Sequence, residues 1–531
     1  MSIFTYSVKI DTQRDGTYGD ALDDVTNYVE HIEWRAGLTE PWGKVAPSAN
    51  MRVMLANADG RFSTHDSSAD YYGLLVRGLL VRIQATYDGS TETLAVFKVK
   101  DIDVKAVGAG SSPAGVVTLI CADIMHKLLE AQYDAPLLLD IRVDEALNKV
   151  YEDATIIYPY DSLPFYIGRD SIGGSKLIYA NTLTDFDKAS KTLPFIGDNL
   201  DKGKGVQAQT FIKEVVAAEP NSIFFFDPRS ENFKFFNSYH NKILSLDPPI
   251  VNENLGTFGM DDYVSISIRQ GENMVNDYRL NYVPRAVGTP ASVIYQGNVP
   301  IKINAQSRRD FKIRYTDPDN ASANVGAMDV IRPEAGFDVI GNTHEDGLGT
   351  DVSSLLTLGV FTAGAGSAEF YIENTTLDPI WITKFEVRGT PIINYETEQV
   401  RTYDGNSVYD NDRHPRTETI KSISTYADAV DYALFVIRTF APADTYIRSV
   451  TFVADESRSN IGLQLLERKI GDVVTLADDS GISKEYMIVG EKHSLPSGTK
   501  VHNIMWILRP VERGAIFVIG ASSIGSADIL L

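Results

Sequence analysis

Cysteine is nearly absent from this 531-residue chain, which carries one, Cys121. No disulfide can form within the chain, so its stability has to come from packed cores. A thiolate zinc site is excluded for the same reason. Positive charge is also in deficit. Lys and Arg number 49 against 71 Asp and Glu, a formal net charge of −22. Bulk charge of that sign draws a chain neither to phosphates nor to anionic lipid. This argues against a nucleic-acid reader but is compatible with a conduit, because a negative wall lets DNA slide past without sticking. No run approaches the ~18 apolar residues of a membrane span. The opening Met1-Ser2-Ile3-Phe4-Thr5-Tyr6 reads as a strand and lacks the basic start and long apolar core of a signal peptide.

Motifs that carry chemistry are missing too. The eight histidines, His31, His65, His126, His240, His344, His414, His493 and His502, form no H-E-x-x-H or paired Cys/His pattern, and each reads as a surface or satisfied core residue. Gly197 to Gly205 has five residues between its first glycine and Gly203, not the four of a phosphate loop. Gly205 also stands where Ser or Thr must bind magnesium. Gly364-Ala365-Gly366-Ser367 lacks the third glycine of a dinucleotide fingerprint, and in Gly520-Ala521-Ser522-Ser523-Ile524-Gly525 Ile524 fills a glycine position of the nucleophile elbow. Asn57-Ala58-Asp59-Gly60 and Asp317-Pro318-Asp319-Asn320 are explained by turn chemistry better than by calcium. The pairs Asp23/Asp24, Asp261/Asp262 and Asp478/Asp479 read as solvated loops, since adjacency does not set the carboxyl separation of a glycosidase. No catalytic, cofactor-binding or metal-ligating residue is nominated, and neither a cofactor nor an enzyme is expected.

What the sequence does contain is β-structure in quantity. Its 44% hydrophobic residues suffice for packed cores, and its 23% charged residues lie near the globular norm of about 25%, which excludes wholesale disorder. The length predicts roughly three to five domains. Residues 3–10, 51–56, 79–87, 94–99 and 116–121 read as short strands with turn signals between them, a small barrel over 1–122. Cys121, in the apolar run Val117 to Cys121, reads as a small buried hydrophobe. Helical spacing follows over 122–132, 143–150 and 211–216, with Pro220 as a stop, then a hairpin turned at Asp227-Pro228. These place an α+β domain, with the start of a second barrel region, over 123–299. Residues 300–394 read as an inserted β-sandwich with long loops over 317–360, Trp381 in its core and an end at Gly389-Thr390-Pro391. Over 395–531 a helix opened by the capping pair Thr425/Asp428 precedes strands at 447–453, 471–476, 486–489 and 504–508, a closing barrel. The fold class expected is mainly β with α+β parts.

Several stretches resemble a known family. They are Asp24-Val25-Thr26, Ile32 to Gly37, Ala49 to Ser63 with Leu55-Ala56-Asn57-Ala58-Asp59-Gly60-Arg61-Phe62-Ser63 at its end, Tyr71-Tyr72-Gly73, Arg77-Gly78-Leu79-Leu80-Val81-Arg82-Ile83 and Val96 to Ile102. Together they are similar to the opening barrel of phage and prophage minor tail proteins, in which an L-x-N-x-D-G-x-[FY]-S stretch precedes a G-x-x-V-R-I strand. Ile470 to Val474, Tyr486 to His493 and Phe517 to Gly525 look like the end of the same proteins. The resemblance covers the first quarter and last fifth of the chain. It implies a fold like the baseplate hub of contractile tails and the spike base of type VI secretion. In these, trimers place two tube-forming barrels per subunit in a pseudo-six-fold ring. Implied with it are a place in the virion at the tail tip or baseplate after assembly in the host cytoplasm, other copies of the chain, and contact with the distal tail protein, tube proteins, tape-measure protein and tail fibre or spike. Genomic DNA would pass through unbound, and the host surface would be met indirectly. No fused peptidase or fibre segment is expected after residue 531, which would leave wall degradation to another protein. Two other readings were set beside this one: a carbohydrate-binding surface on the sandwich, with Tyr371 and Trp381, and a peptidoglycan hydrolase.

The position of Cys121 generates a direct expectation. The folded chain should leave an aromatic disulfide reagent unreacted until denaturant is added, and a reductant should leave its melting temperature unchanged. Rapid labelling of the native thiol would overturn the reading.

Overall fold

The computed structural model describes residues 5–87, 89–106, 115–130, 132–133, 137–152, 184–197, 206–237, 240, 254–454, 459–478, 483–496 and 501–511. The chain is mainly β. Twelve strands form its largest sheet: β1 (Thr5–Ile10), β2 (Val29–Gly37), β3 (Asn50–Ala56), β4 (Leu80–Tyr87), β5 (Ser90–Ala106), β6 (Gly115–Ala122), β7 (Asn254–Phe258), β8 (Ser265–Gln270), β9 (Thr445–Ala454), β10 (Val473–Ala477), β11 (Ser483–Pro496) and β12 (His502–Pro510). They pair in the order β1-β4-β5-β6-β3-β2-β11-β12-β9-β8, with β10 on β11 and β7 on β10.

The two ends of the chain therefore meet. β2 pairs antiparallel with β11, from His31 opposite Pro496 through Trp34 opposite His493 to Gly37 opposite Gly490. Period-two alternation explains the register: Ile32, Trp34 and Ala36 on β2 are buried, as are Glu491, His493 and Leu495 opposite them. One hydrophobic cluster draws on both ends, from Val8, Ile32, Trp34 and Val81 to Phe452, Ile488, Trp506 and Leu508. Cys121 is buried in it on β6, as expected. Beyond Gly37 the backbones come closest: the Leu38 amide donates to the Val489 carbonyl at 2.8 Å. A Cβ on Gly490 would stand 2.0 Å from the Leu38 carbonyl oxygen.

A second cluster packs the helix Ala208–Ala218 and the helix Tyr426–Phe440 with the strand Asp277–Tyr282. The latter helix begins as the sequence indicates, with Thr425 Oγ1 accepting from the Asp428 amide at 3.1 Å. The expected hairpin is present as Ile223–Asp227 and Asn232–Phe236. Its run of phenylalanines has a physical reason. Phe225 and Phe236 face the first cluster, and Phe224, Phe226, Phe233 and Phe235 face the second, so both faces are apolar.

The third cluster lies between two facing sheets, one centred on Ser367–Asn374 and the other on Ile380–Asn394. Two expectations change here. The last strand of the unit passes through Gly389-Thr390-Pro391, where the unit is expected to close. It runs on to Asn394 because Arg285–Val287 and Gly326–Ile331 pair along it. Gly389 permits this, since a Cβ there would press on Ile294 and on the Met328 and Val330 backbone. Within 317–360, where long loops are expected, Asn320–Asn324, Gly326–Ile331, Val339–Asn342 and Leu356–Leu358 are strands as well, their polar outward residues masking the alternation.

Gly490→Ala should destabilise the chain severely, since the Cβ meets backbone and not a side chain that can move. Gly19→Ala, with open space around it, should leave melting unchanged. Equal melting temperatures for the two variants would contradict the close approach at Gly37 and Gly490.

Candidate functional site

The junction of β2 and β11 carries a polar cluster inside an apolar core. Glu491, His493 and His502 are 3%, 1% and 0% exposed. Arg229, at the turn of the phenylalanine hairpin, reaches in from another part of the chain. Its Nη2 donates to Glu491 Oε2 at 3.2 Å and its Nη1 to the Leu466 carbonyl at 2.7 Å. His493 Nε2 lies 3.3 Å from Glu491 Oε2, and His493 Nδ1 and His502 Nε2 are 2.9 Å apart. Trp34 stacks on His493, with centroids 4.3 Å apart and planes 3° from parallel, and Tyr6 meets His502 edge-on.

The electrostatics follow from burial and charge. Burial alone would raise the Glu491 carboxyl. The Arg229 guanidinium and His493 outweigh it and hold the carboxyl below the usual range. Burial pushes both imidazoles down, His502 the further, because His493 and Arg229 add repulsion to it. These groups are enclosed by Trp34, Tyr6 and the surrounding strands, so the arrangement holds parts of the chain together.

A buried arginine and a half-buried lysine extend the junction. Arg509, on β12, donates to the carbonyls of Pro41, Gly43 and Asn221 at 2.6, 2.8 and 2.9 Å. The Lys44 ammonium donates to the carbonyls of Ala217 and Glu219 at 2.7 and 3.0 Å and to Tyr432 Oη at 2.8 Å. The carbonyls of Ala217 and Glu219 lie at the C-terminal end of the helix Ala208–Ala218, where a cation is favoured. Desolvation pushes Lys44 down to about 7 and Arg509 to about 9. Three acceptors around Lys44 match the three hydrogens of the charged form. Both side chains border a cavity of about 190 Å³ with Trp42, Arg416, Glu418 and Tyr432. The segment Pro41–Ala46 thus bridges the large sheet and the α+β core.

Other residues singled out in the sequence have local roles. Asn57 Oδ1 accepts from the Phe62 amide at 2.9 Å and Asp59 pairs with Arg61 at 2.7 Å, which is turn chemistry. Asp317 accepts from the Asp319 amide at 2.9 Å, and the Gly364 amide donates to the Ser367 carbonyl at 2.8 Å. Asp23 is buried, bound to Thr12, while Asp24 lies on the surface, and Asp262 accepts from the Gly259 amide. His240 pairs with Asp187 at 2.7 Å, and His414 accompanies the Asn411 carbonyl at 2.9 Å. Residues 198–205, Asp479 and 512–531 lie outside the described residues. Trp381 corrects the sequence reading. It alternates with buried Ile380 and Ile382 and so points outward, half-buried, with Lys302 5.5 Å from its ring. Tyr371 is on the outer face of the opposing sheet with Arg308 3.7 Å over its ring, so the two aromatics do not form one platform. Sequence reading missed the His493–His502 contact, although a signal existed. In the β11–β12 hairpin, His493 faces Ile504, which puts His502 diagonal to it on the same face.

No known family model matches the chain, and no curated protein matches it significantly. Among solved structures it is similar to a tail protein from Neisseria meningitidis MC58, with a TM-score of 0.45 and 8% identity over 95% of this chain and 96% of that one. It is similar to the 43 kDa tail protein of prophage MuSo2 from Shewanella oneidensis, again with a TM-score of 0.45 and 8% identity, over 95% and 98%. The E. coli c3393 protein, a component of the type VI secretion system, gives a TM-score of 0.35 and 7% identity over 95% and 77%.

The depressed imidazoles set the sign of a pH effect. The unfolded chain takes up protons near the ordinary value of 6.5 while the folded chain resists, so stability falls as pH drops below 6.5. The depressed Glu491 carboxyl adds a loss at lower pH, below its ordinary value of 4.5. His502→Gln, which keeps a hydrogen-bonding side chain but cannot titrate, should flatten the decline of melting temperature between about pH 6.5 and 5. An unchanged slope would count against the histidine pair as its source.

Proposed function

We propose that this chain is a structural subunit of a bacteriophage tail tip, a hub that joins the tail tube to the host-recognition apparatus and forms part of the DNA channel. The observation that carries the reading is the continuous sheet made from the two ends of the chain through β2 and β11. A ring wall built from two barrel units per subunit needs those units side by side, rigidly joined, as a shared core makes them. The stretches that resemble minor tail proteins lie in those same two ends. The net charge of −22 suits a channel that DNA traverses without binding. In this reading residues 1–122 and 395–531 supply the tube-forming barrels, 123–299 the α+β domain and 300–394 an inserted sandwich outside the ring.

Copies of the chain would meet along β8. This strand pairs with β9 on one side, and among the described residues no strand lies against its other side. Ile268 on this strand and Val264 and Met260 in the segment leading to it are 39, 55 and 47% exposed. β1, at the other end of the sheet, is covered by the segment carrying Asp23 and Val25, whose backbone bonds Ile10 and Val8. An open edge with apolar neighbours invites another chain. The trimer would then contact tube and distal tail proteins on one side and fibre or spike proteins on the other. A second reading, glycan binding by the sandwich, draws on the outward-facing Trp381, and retention on host-wall polysaccharide that is lost in Trp381→Ala would support it.

Light scattering after gel filtration and negative-stain imaging of the full chain should show trimeric rings. Val264→Lys with Ile268→Lys should shift the population to monomer without lowering the melting temperature. A compact monomer at every concentration, together with absence of the chain from purified particles, would defeat the hub reading.

A further inference from the structure

On the outer face of a small sheet, three arginines surround a single buried carboxylate. The strand Asp277–Tyr282 lies between Glu398–Tyr403 and Pro415–Thr419. One face, with Tyr278, Leu280 and Tyr282, packs in the second core. The other carries Asp277, Arg279 and Asn281, with Arg401 and Tyr403 beside them. Asp277 is fully buried and binds Arg401 through two bonds, Nε to Oδ1 at 2.7 Å and Nη2 to Oδ2 at 2.9 Å. Arg413 Nε is 3.4 Å and Arg279 Nη2 3.9 Å from the same Oδ2. One carboxylate serves three guanidinium groups, and it is already engaged twice by Arg401.

The excess charge is held in place by structure. Arg279 stands directly opposite Arg401 in the strand register, a like-charge pair that costs stability. Arg279 Nε is buried without a hydrogen-bond partner. Arg413 follows Asp412, whose backbone is held at φ 61°. The fully buried Asn276 clamps that segment: its Nδ2 donates to the Asp412 carbonyl at 2.7 Å and its Oδ1 accepts from the His414 amide at 2.7 Å. Strain retained in this way is characteristic of functional positions. Beside the trio, Tyr403 is 62% exposed, with the Arg401 guanidinium 5.6 Å from its ring.

From this geometry we infer that the face formed by Arg279, Arg401 and Arg413 is a docking surface for an acidic polypeptide segment, whose carboxylates take the guanidinium donors that Asp277 leaves free. Forked guanidinium groups match carboxylates two bonds at a time. An exposed tyrosine beside arginines has the composition of protein-interface centres. The charge balance of the whole chain disfavours a long polyanion such as nucleic acid, which needs a basic track to offset repulsion. A short acidic segment needs only the local patch. The inference is independent of the hub assignment and stands on this face alone.

The test uses the full chain and a fluorescent hexaglutamate peptide, with a hexaglutamine peptide and a labelled DNA duplex as comparisons. Anisotropy is read at about 0.15 M salt, where the Debye length of about 8 Å screens the distant acidic surface. The glutamate peptide should bind and the glutamine peptide should not. Arg279→Gln and Arg413→Gln should each weaken binding about tenfold, while Arg52→Gln, an exposed arginine elsewhere, should not. Neither variant unpairs Arg401 from Asp277, and Arg279→Gln also removes the like-charge pair with Arg401, so neither melting temperature should fall below that of the parent chain. Absence of binding, or binding equal in all three variants, overturns the proposal. DNA bound in preference and lost in the same two variants overturns it as well, by giving the face to nucleic acid.

Discussion

The antiparallel pairing of β2 with β11 is the constraint on which the rest of the molecule depends. Without it, the opening and closing strands are two sheets with separate edges and half-covered cores. With it, Trp34, Phe452 and Trp506 belong to one cluster. The chain between the paired strands is long, but loop closure grows only logarithmically, about 0.6 kcal/mol for each doubling of length. Burial of several aromatic side chains, at roughly 1.5–3 kcal/mol each, readily offsets that cost. The larger consequence is kinetic: pairing of strands so distant in sequence must follow the formation of each end, so the junction should be a late event in folding.

The polar cluster within this junction does not earn its place through stability alone. Buried ion pairs seldom exceed the benefit of apolar side chains of equal volume. What the cluster adds is register. A one-residue slip of β11 would turn Glu491 and His493 to solvent, strand Arg229 in the core and separate Trp34 from its stacking partner. Arg229 also belongs to the hairpin whose phenylalanines face two cores at once, so correct register in the sheet and correct seating of the α+β part are the same event. Lys44 and Arg509 act similarly, each tying backbone carbonyls from distant segments to one point.

Much of this was legible locally. Alternating apolar residues marked β1, β3, β4 and β6, and the pair Thr425/Asp428 marked the start of the helix Tyr426–Phe440. The burial of Cys121 and the hairpin at Asp227 followed from composition and turn chemistry. These features depend on neighbours within a few residues, and a sequence displays such neighbours directly. Where the pattern was weak, as in the polar strands between 317 and 360, or where glycine and proline sat inside a long strand at 389–391, local rules failed because partner strands supplied what local propensity did not.

The sequence by itself determined the strands and helices whose apolar pattern is plain within a few residues, and that the chain is acidic and free of internal disulfides. Only the tertiary structure decided that β2 lies against β11, that His493 and His502 share a buried contact with Glu491 and Arg229, that Trp381 points outward, and that Arg279, Arg401 and Arg413 gather on Asp277. The division has a physical cause. Periodicity and capping are properties of adjacent residues, whereas these clusters join side chains from segments far apart, and their pairing is selected by the free energy of the whole core.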